Sequence, residues 1–201
     1  MDNISIKGEL RARILERRDS LSFGERSKLS ARVLTNLFRV PEFSSAQTVF
    51  FFVNFRSEVE TLPGIRRAIS EGKKVAVPYC VLDERVLRFV EIRDFEKDLM
   101  VDSYNILEPL PSLRRKRVLP VSAADVVVFP GSVFDLRGGR MGYGAGYYDK
   151  TFAGVKKRPF IALAFDFQVL PAGEFVPMAG HDIPVHKIVT EKRIIECRRL
   201  H

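Results

Sequence analysis

The sequence predicts one α/β domain over residues 1–201, a mostly parallel open sheet flanked by helices in a Rossmann-like three-layer arrangement. Three observations predict it. Residues 48–53, TVFFFV, form a short β-branched and aromatic run without polar alternation, which marks a strand buried on both faces and hence a parallel sheet. Pro63 and Gly72 bracket a short helix through Ile65 and Ile69, and residues 74–79 follow as a strand, so strand, helix and strand succeed one another as a βαβ unit. At 201 residues and 46% hydrophobic, the chain is long enough for one sizeable core and short for two.

Taken in order, Ile6, Leu10 and Ile14 recur every four residues, the spacing of an amphipathic helix, and Lys7 and Arg11 project from one of its faces a turn apart. On spacing alone these cations read as a solvated helix face. Ser22 and Glu25 have capping-box spacing and open a second helix whose buried stripe is Leu29, Val33 and Leu37. The strand at 48–53 runs into Asn54 through Thr61, where ligands of open α/β sheets sit. Glu58 and Glu60 share a side there if the chain stays extended; without further information they are surface carboxylates of a polar loop. Residues 86–92 read as a further strand with partial alternation. Tyr79, at a strand end, reads first as packing and second as a pocket wall. Residues 105–111 make a proline-fixed connection, and 113–117, LRRKR, are either a surface loop or a patch for anions. No aromatic residues interleave with those cations, so the stacking element of single-strand nucleic-acid binders is missing.

Residues 126–129 form the strand that leads into GGRMGYGAGYYDK at 138–150, with helix expected from Tyr147 and another buried strand at 160–165. Gly142, Gly144 and Gly146 let backbone N–H groups turn inward as a nest for phosphate oxygens. Arg140 adds a planar fork of donors, and Asp149 is a hard oxygen ligand for a cation carried on those phosphates. Glycine spacing alone is equally served by a tight turn before a helix. Neither the Walker loop nor the dinucleotide fingerprint is present.

With its lead-in VVVFPGSVFD at 126–135, this stretch resembles the signature of the 5-formyltetrahydrofolate cyclo-ligase family, GxRLGYGxGYYD. The N-terminal KGELR at 7–11 matches the family's KxxLR, and HDIPVHKIVTE at 181–191 resembles its last block. The resemblance implies ATP-driven closure of 5-formyltetrahydrofolate to 5,10-methenyltetrahydrofolate, with ADP and phosphate released. It implies ATP contacts at Lys7, Arg11, Arg140, Met141, Gly142, Tyr143, Gly144, Ala145, Gly146, Tyr147 and Tyr148, folate contacts at Val53, Glu58 and Tyr147 with Glu60 as second choice, and magnesium at Asp149. Lys7, Arg140 and Tyr147 are the expected catalytic residues. One departure stands out: the family's second magnesium carboxylate falls at His186, leaving Asp182, or Asp149 with phosphates and water, to hold the metal, and making manganese a substitute that tolerates imidazole better. His181 and His201 are given no chemistry.

Lys and Arg exceed Asp and Glu by 33 − 25 = 8, which fits anionic partners without choosing among them. Cys80 and Cys197 show no metal spacing and are too few for a disulfide scaffold, and no apolar run spans a membrane, so a cytoplasmic protein is expected. The resemblance implies a folate partner, polyglutamylated or not, and a monomer is expected. Two rivals are a different ATP-dependent ligase or kinase on the same scaffold, and a non-catalytic basic protein binding RNA or nucleotide.

Overall fold

The computed structural model describes residues 3–102, 106–155 and 158–198, with side chains from Lys7 onward; the side chain of Ile6, and the whole of Asn105 and His201, lie outside the described residues. Helices α1 (Asn3–Asp19), α2 (Phe23–Leu37) and α3 (Pro41–Ser45) lead into β1 (Thr48–Phe50). Helix α4 (Leu62–Ser70) precedes β2 (Lys74–Val81), β3 (Val86–Ile92), β4 (Leu99–Val101), β5 (Leu107–Pro109), β6 (Val118–Leu119) and β7 (Val126–Phe129). Then come the two-residue strands β8 (Val133–Phe134) and β9 (Arg140–Met141), α5 (Tyr147–Thr151), β10 (Phe160–Leu163), β11 (Lys187–Val189) and β12 (Ile194–Glu196).

Eight strands form one sheet in the order β12-β11-β10-β7-β1-β2-β3-β6. Its five middle strands run parallel, and β12, β3 and β6 are added at the margins through antiparallel pairings, so the mostly parallel sheet read from the sequence is present. Successive residues of β7 divide between two apolar clusters: Val126 and Val128 face α2 and α4 with Val33, Leu37 and Ile65, whereas Val127 and Phe129 face Phe50, Phe152 and Phe160. Burial on both sides is why β7 carries four apolar residues in a row.

Two elements differ from the sequence reading. β1 stops at Phe50 although the apolar run continues, because Phe51 and Phe52 are buried in coil and only Phe51 N–H still bonds across, to Ala76 O at 2.9 Å. The glycine stretch does not leave β7 directly either. The hairpin β8–β9 intervenes, with Phe134 paired to Arg140, and α1 packs Leu10 and Ile14 against its Val133 and Met141. Helix α1 thereby lies beside the glycine stretch. α2 opens with the expected capping box, Glu25 N–H donating to Ser22 Oγ at 3.3 Å and Ser22 N–H to Glu25 Oε2 at 2.9 Å.

Asp135 knots the hairpin turn: its Oδ1 accepts from the N–H groups of Arg137 and Gly139 at 2.8 and 2.9 Å, and Oδ2 accepts from Val176 N–H at 2.8 Å. At Gly138 the backbone is left-handed, φ +89°, and an added Cβ would stand 2.2 Å from Val185 O. Gly138→Ala is therefore expected to destabilise the fold by about 3 kcal/mol or more, combining strained φ with overpacking. A urea midpoint equal to that of the unchanged protein refutes this reading of the turn.

Candidate active site

A cleft of about 1140 Å³ opens just past the carboxyl ends of β1 and β7, where Phe52 and Val53 and then Pro130 and Gly131 line it. This is where a parallel sheet leaves a crevice for ligands. One wall is cationic. Lys7 and Arg11 reach it from α1, and Arg140 reaches it from β9, beside residues 141–149. Arg11 Nη1 lies 4.0 Å from where a Cβ on Gly144 would stand, so the first helix and the glycine stretch meet. Gly144 and Gly146 adopt left-handed φ values of +103° and +69°, the freedom the glycine pattern anticipated. Helix α5 is only five residues long, so attraction for anions here comes from local amides and side-chain cations rather than from a long helix dipole.

Two arginine nitrogens in this wall are buried without a partner among the described residues, Nε of Arg11 and Nε of Arg140. Unpaired buried donors are costly, and an anion entering the cleft would satisfy them. Arg140 is otherwise engaged: Nη2 donates to Asp149 Oδ1 at 2.6 Å, with the guanidinium 5.3 Å from the Phe129 ring centroid. Asp149 Oδ1 also accepts from Ile183 N–H at 3.0 Å. Lys7 pairs with Asp182 at 3.5 Å, the carboxylate that also accepts from Ala179 N–H. Tyr147 and Tyr148 both line the cleft, and Tyr148 packs its ring on Phe129 at 5.2 Å. Burial, reinforced by the nearby Glu58 charge, pushes the Tyr148 phenol well above its ordinary pKa, so it is a donor at neutral pH.

The opposite wall carries Val53 and Glu58, and the two glutamates part company. Arg56 takes φ +52° and Glu58 N–H bonds back to Phe55 O at 3.2 Å, so residues 55–58 turn rather than extend. That turn directs Glu58 into the cleft, where one oxygen accepts from Phe55 N–H at 2.9 Å and the other has no hydrogen-bond partner among the described residues. Burial raises its pKa to about 7 against the weaker opposing effects of that N–H and of Arg18. Glu60 points instead to α2, where Arg26 Nε at 3.2 Å and Ser27 Oγ at 2.7 Å hold it, and it does not line the cleft. Its reading as a folate contact is corrected on that ground. Tyr79 lies under the Arg114 guanidinium at 4.7 Å and is not part of the cleft wall. The basic run at 113–117 is partly consumed internally, Arg114 by Glu108 at 2.9 Å and Arg117 by Asp98 at 2.7 Å, which weakens it as a nucleic-acid patch.

Sequence reasoning missed Arg18. It is fully buried, and its guanidinium donates to Ser57 Oγ at 3.0 Å, to Gly131 O at 3.4 Å and to the Tyr143 hydroxyl. Position 18 falls on the spacing of Arg11 and Ile14, so an arginine on the buried stripe of α1 was the available signal.

The donors suit a cation only in a limited way. No group of three or more His, Cys, Asp or Glu side chains converges among the described residues. Magnesium carried on phosphates needs one or two carboxylates, and Asp149 offers an Oδ2 without a hydrogen-bond partner among the described residues. His186 lines the cleft but accepts Phe160 N–H at Nδ1, 3.0 Å away, so the neutral ring carries its proton on Nε2 and offers no lone pair to a metal.

The comparisons with known proteins identify the family. The sequence model of the 5-formyltetrahydrofolate cyclo-ligase family matches residues 3–191. The chain is 30% identical to the Escherichia coli K12 5-formyltetrahydrofolate cyclo-ligase over 187 residues, covering 91% of this chain and 99% of that one. It is 27% identical to the Mus musculus protein of the same name, covering 93% and 94%. The NMR structure of Aquifex aeolicus 5,10-methenyltetrahydrofolate synthetase superposes with a TM-score of 0.81 at 30% identity, over 98% of this chain and 95% of that one. With that match over nearly its whole length, and with relatives covered almost end to end, the chain belongs to the 5-formyltetrahydrofolate cyclo-ligase family.

Proposed function

We propose that the protein converts 5-formyltetrahydrofolate to 5,10-methenyltetrahydrofolate at the expense of ATP, releasing ADP and phosphate. The observation that carries this reading is the meeting, in one cleft, of three cations from α1 and β9 with the glycine stretch on one side and the buried Glu58 on the other. A formamide carbonyl is a poor electrophile and its oxygen a poor leaving group. Transfer of the γ-phosphoryl group makes an O–P bond to the formyl oxygen and breaks the bond to the ADP oxygen. The N10 lone pair then attacks the formyl carbon, N10 gives up its proton, and the C–O bond breaks to release phosphate. Catalysis of this kind is mostly positioning and charge neutralisation.

Lys7, Arg11 and Arg140 supply positive charge to the triphosphate, residues 142–146 supply backbone donors, and Tyr147, Val53 and Glu58 orient the folate. The second oxygen of Glu58 accepts from an N–H of the pterin. Asp149 would hold magnesium, which supplies further neutralisation of phosphate charge. The reading is tested by mixing the protein with ATP, magnesium and 5-formyltetrahydrofolate and following the near-UV band of the methenyl product. Product that requires ATP is expected. Phosphate release from ATP without any methenyl band points to a different ligase on the same scaffold.

A further inference from the structure

Two loops face each other across the cleft, and they are joined from behind by one side chain. The turn at residues 55–58 carries Glu58 on the folate side, and Tyr143 belongs to the glycine stretch on the phosphate side. Arg18, fully buried at the last turn of α1, grips both: Nε holds Ser57 Oγ at 3.0 Å and Nη2 holds the Tyr143 hydroxyl. Its third bond, to Gly131 O at 3.4 Å, ties the same guanidinium to the segment just past β7. The Ser57 hydroxyl donates its hydrogen bond to Asp19 Oδ1, which leaves the serine oxygen as an acceptor for the arginine. The contact is extended by Phe55, edge-on to the Tyr143 ring at 5.8 Å, and by Arg56, whose guanidinium lies 4.9 Å from the Phe55 ring.

The two ends of this chain of bonds differ in freedom. Glu58 is clamped into a turn by its neighbour's N–H, whereas Tyr143 is 37% exposed and sits in a stretch whose glycines permit movement. A triphosphate drawing residues 142–146 onto Arg11 and Arg140 would shift Tyr143, and the buried guanidinium, held otherwise only by Ser57 Oγ and Gly131 O among the described residues, would move or tighten with it. Ser57 follows, and with it the adjacent Glu58. We infer that Arg18 is a positioning residue that couples the two halves of the cleft, so that nucleotide and folate each strengthen the binding of the other. The inference rests on the reading of the cleft as an ATP and folate site. It also gives that site a reason to hold its phosphoryl group until the acceptor is present.

Titration calorimetry tests it, using a non-hydrolysable ATP analogue with magnesium and 5-formyltetrahydrofolate, each measured alone and in the presence of saturating amounts of the other. For the unchanged protein each ligand is expected to tighten the other by about tenfold, and by the same factor in both directions because coupling is reciprocal. Tyr143→Phe and Ser57→Ala each cut one arm while leaving Arg18 buried, and each is expected to bring the factor to about twofold or below. Arg18→Lys, which keeps the charge and loses the fork, is expected to do the same. A residue with only a structural role lowers the melting temperature or weakens both ligands evenly and leaves the ratio intact. An unaltered ratio in Tyr143→Phe and Ser57→Ala overturns the inference, as does an unchanged protein that binds both ligands without mutual effect. Failure to bind either ligand removes the functional reading itself, and the coupling with it.

Discussion

Arg140→Ala is expected to lower kcat/KM for cyclisation by on the order of 10³-fold, the scale seen when a preorganised charge donor to a transferring phosphoryl group is removed. Arg140 is seated on β9, its side chain is 4% exposed, and its guanidinium lies against Phe129. Hairpin pairing and aromatic contact therefore hold it in place before any ligand arrives, so none of its binding energy goes into ordering it. Its removal also leaves the Asp149 carboxylate without its arginine partner. The two residues touch, and their effects are not additive. Arg140→Ala/Asp149→Asn is expected to lose little more than Arg140→Ala alone. Arg140→Lys, a point charge without the fork, should fall between. The methenyl band measures all three, with circular dichroism to show that the fold persists. An Arg140→Ala enzyme within tenfold of the unchanged one would dismiss the cationic wall as the source of catalysis.

The second large effect concerns stability, and its sign is opposite to its effect on function. Glu58 titrates near pH 7 because burial disfavours its charge. Its unfolded value is near that of a free glutamate, so the native state holds its proton more tightly than the unfolded state does. The neutral acid costs nothing extra below about pH 4.5; from there stability declines as the pH rises, and above about pH 7 the native state carries the full penalty. Raising the pKa from the ordinary glutamate value to about 7, at about 1.4 kcal/mol per pH unit, costs the native state on the order of 3 kcal/mol at pH 8. Glu58→Gln keeps the shape and abolishes the titration. It is expected to melt roughly 6–12 °C above the unchanged protein at pH 8 and to converge with it near pH 5. Activity should move the other way, with KM for the folate raised, because the amide is a weaker acceptor than the carboxylate. Equal melting curves at both pH values would show that Glu58 is not a buried charge in the native state.

Those two residues also mark where sequence patterns carry information and where they stop. β3 runs over Val86–Ile92, the bounds its partial alternation suggested, because a strand with one face more exposed than the other declares its period. β1 was overread at its end because an apolar run looks the same in a strand and in buried coil, and Phe51 and Phe52 are the latter. The β8–β9 hairpin was invisible for a plainer reason: two-residue strands have no period to detect. Lys7, Arg11, Arg140 and Asp149 were found through motif, and the structure brings them to one wall of the cleft. Glu60 was misjudged by assuming an extended chain where Arg56 turns it. Arg18 escaped because charge on a helix is read as solvated by default, whereas here three acceptors from distant segments bury it.

Helix α1 imposes an order of events on the newborn polypeptide. Lys7 must find Asp182, 175 positions downstream, and Arg18 must find Gly131, 113 positions downstream, before these contacts of α1 are complete. The first helix thus leaves the ribosome long before the surfaces that receive it, and its contact with the most distant of them, Lys7 with Asp182, forms only when translation has passed that segment. Every shorter nascent fragment lacks the carboxylate that pairs with Lys7, so the cationic wall of the cleft is completed late in synthesis.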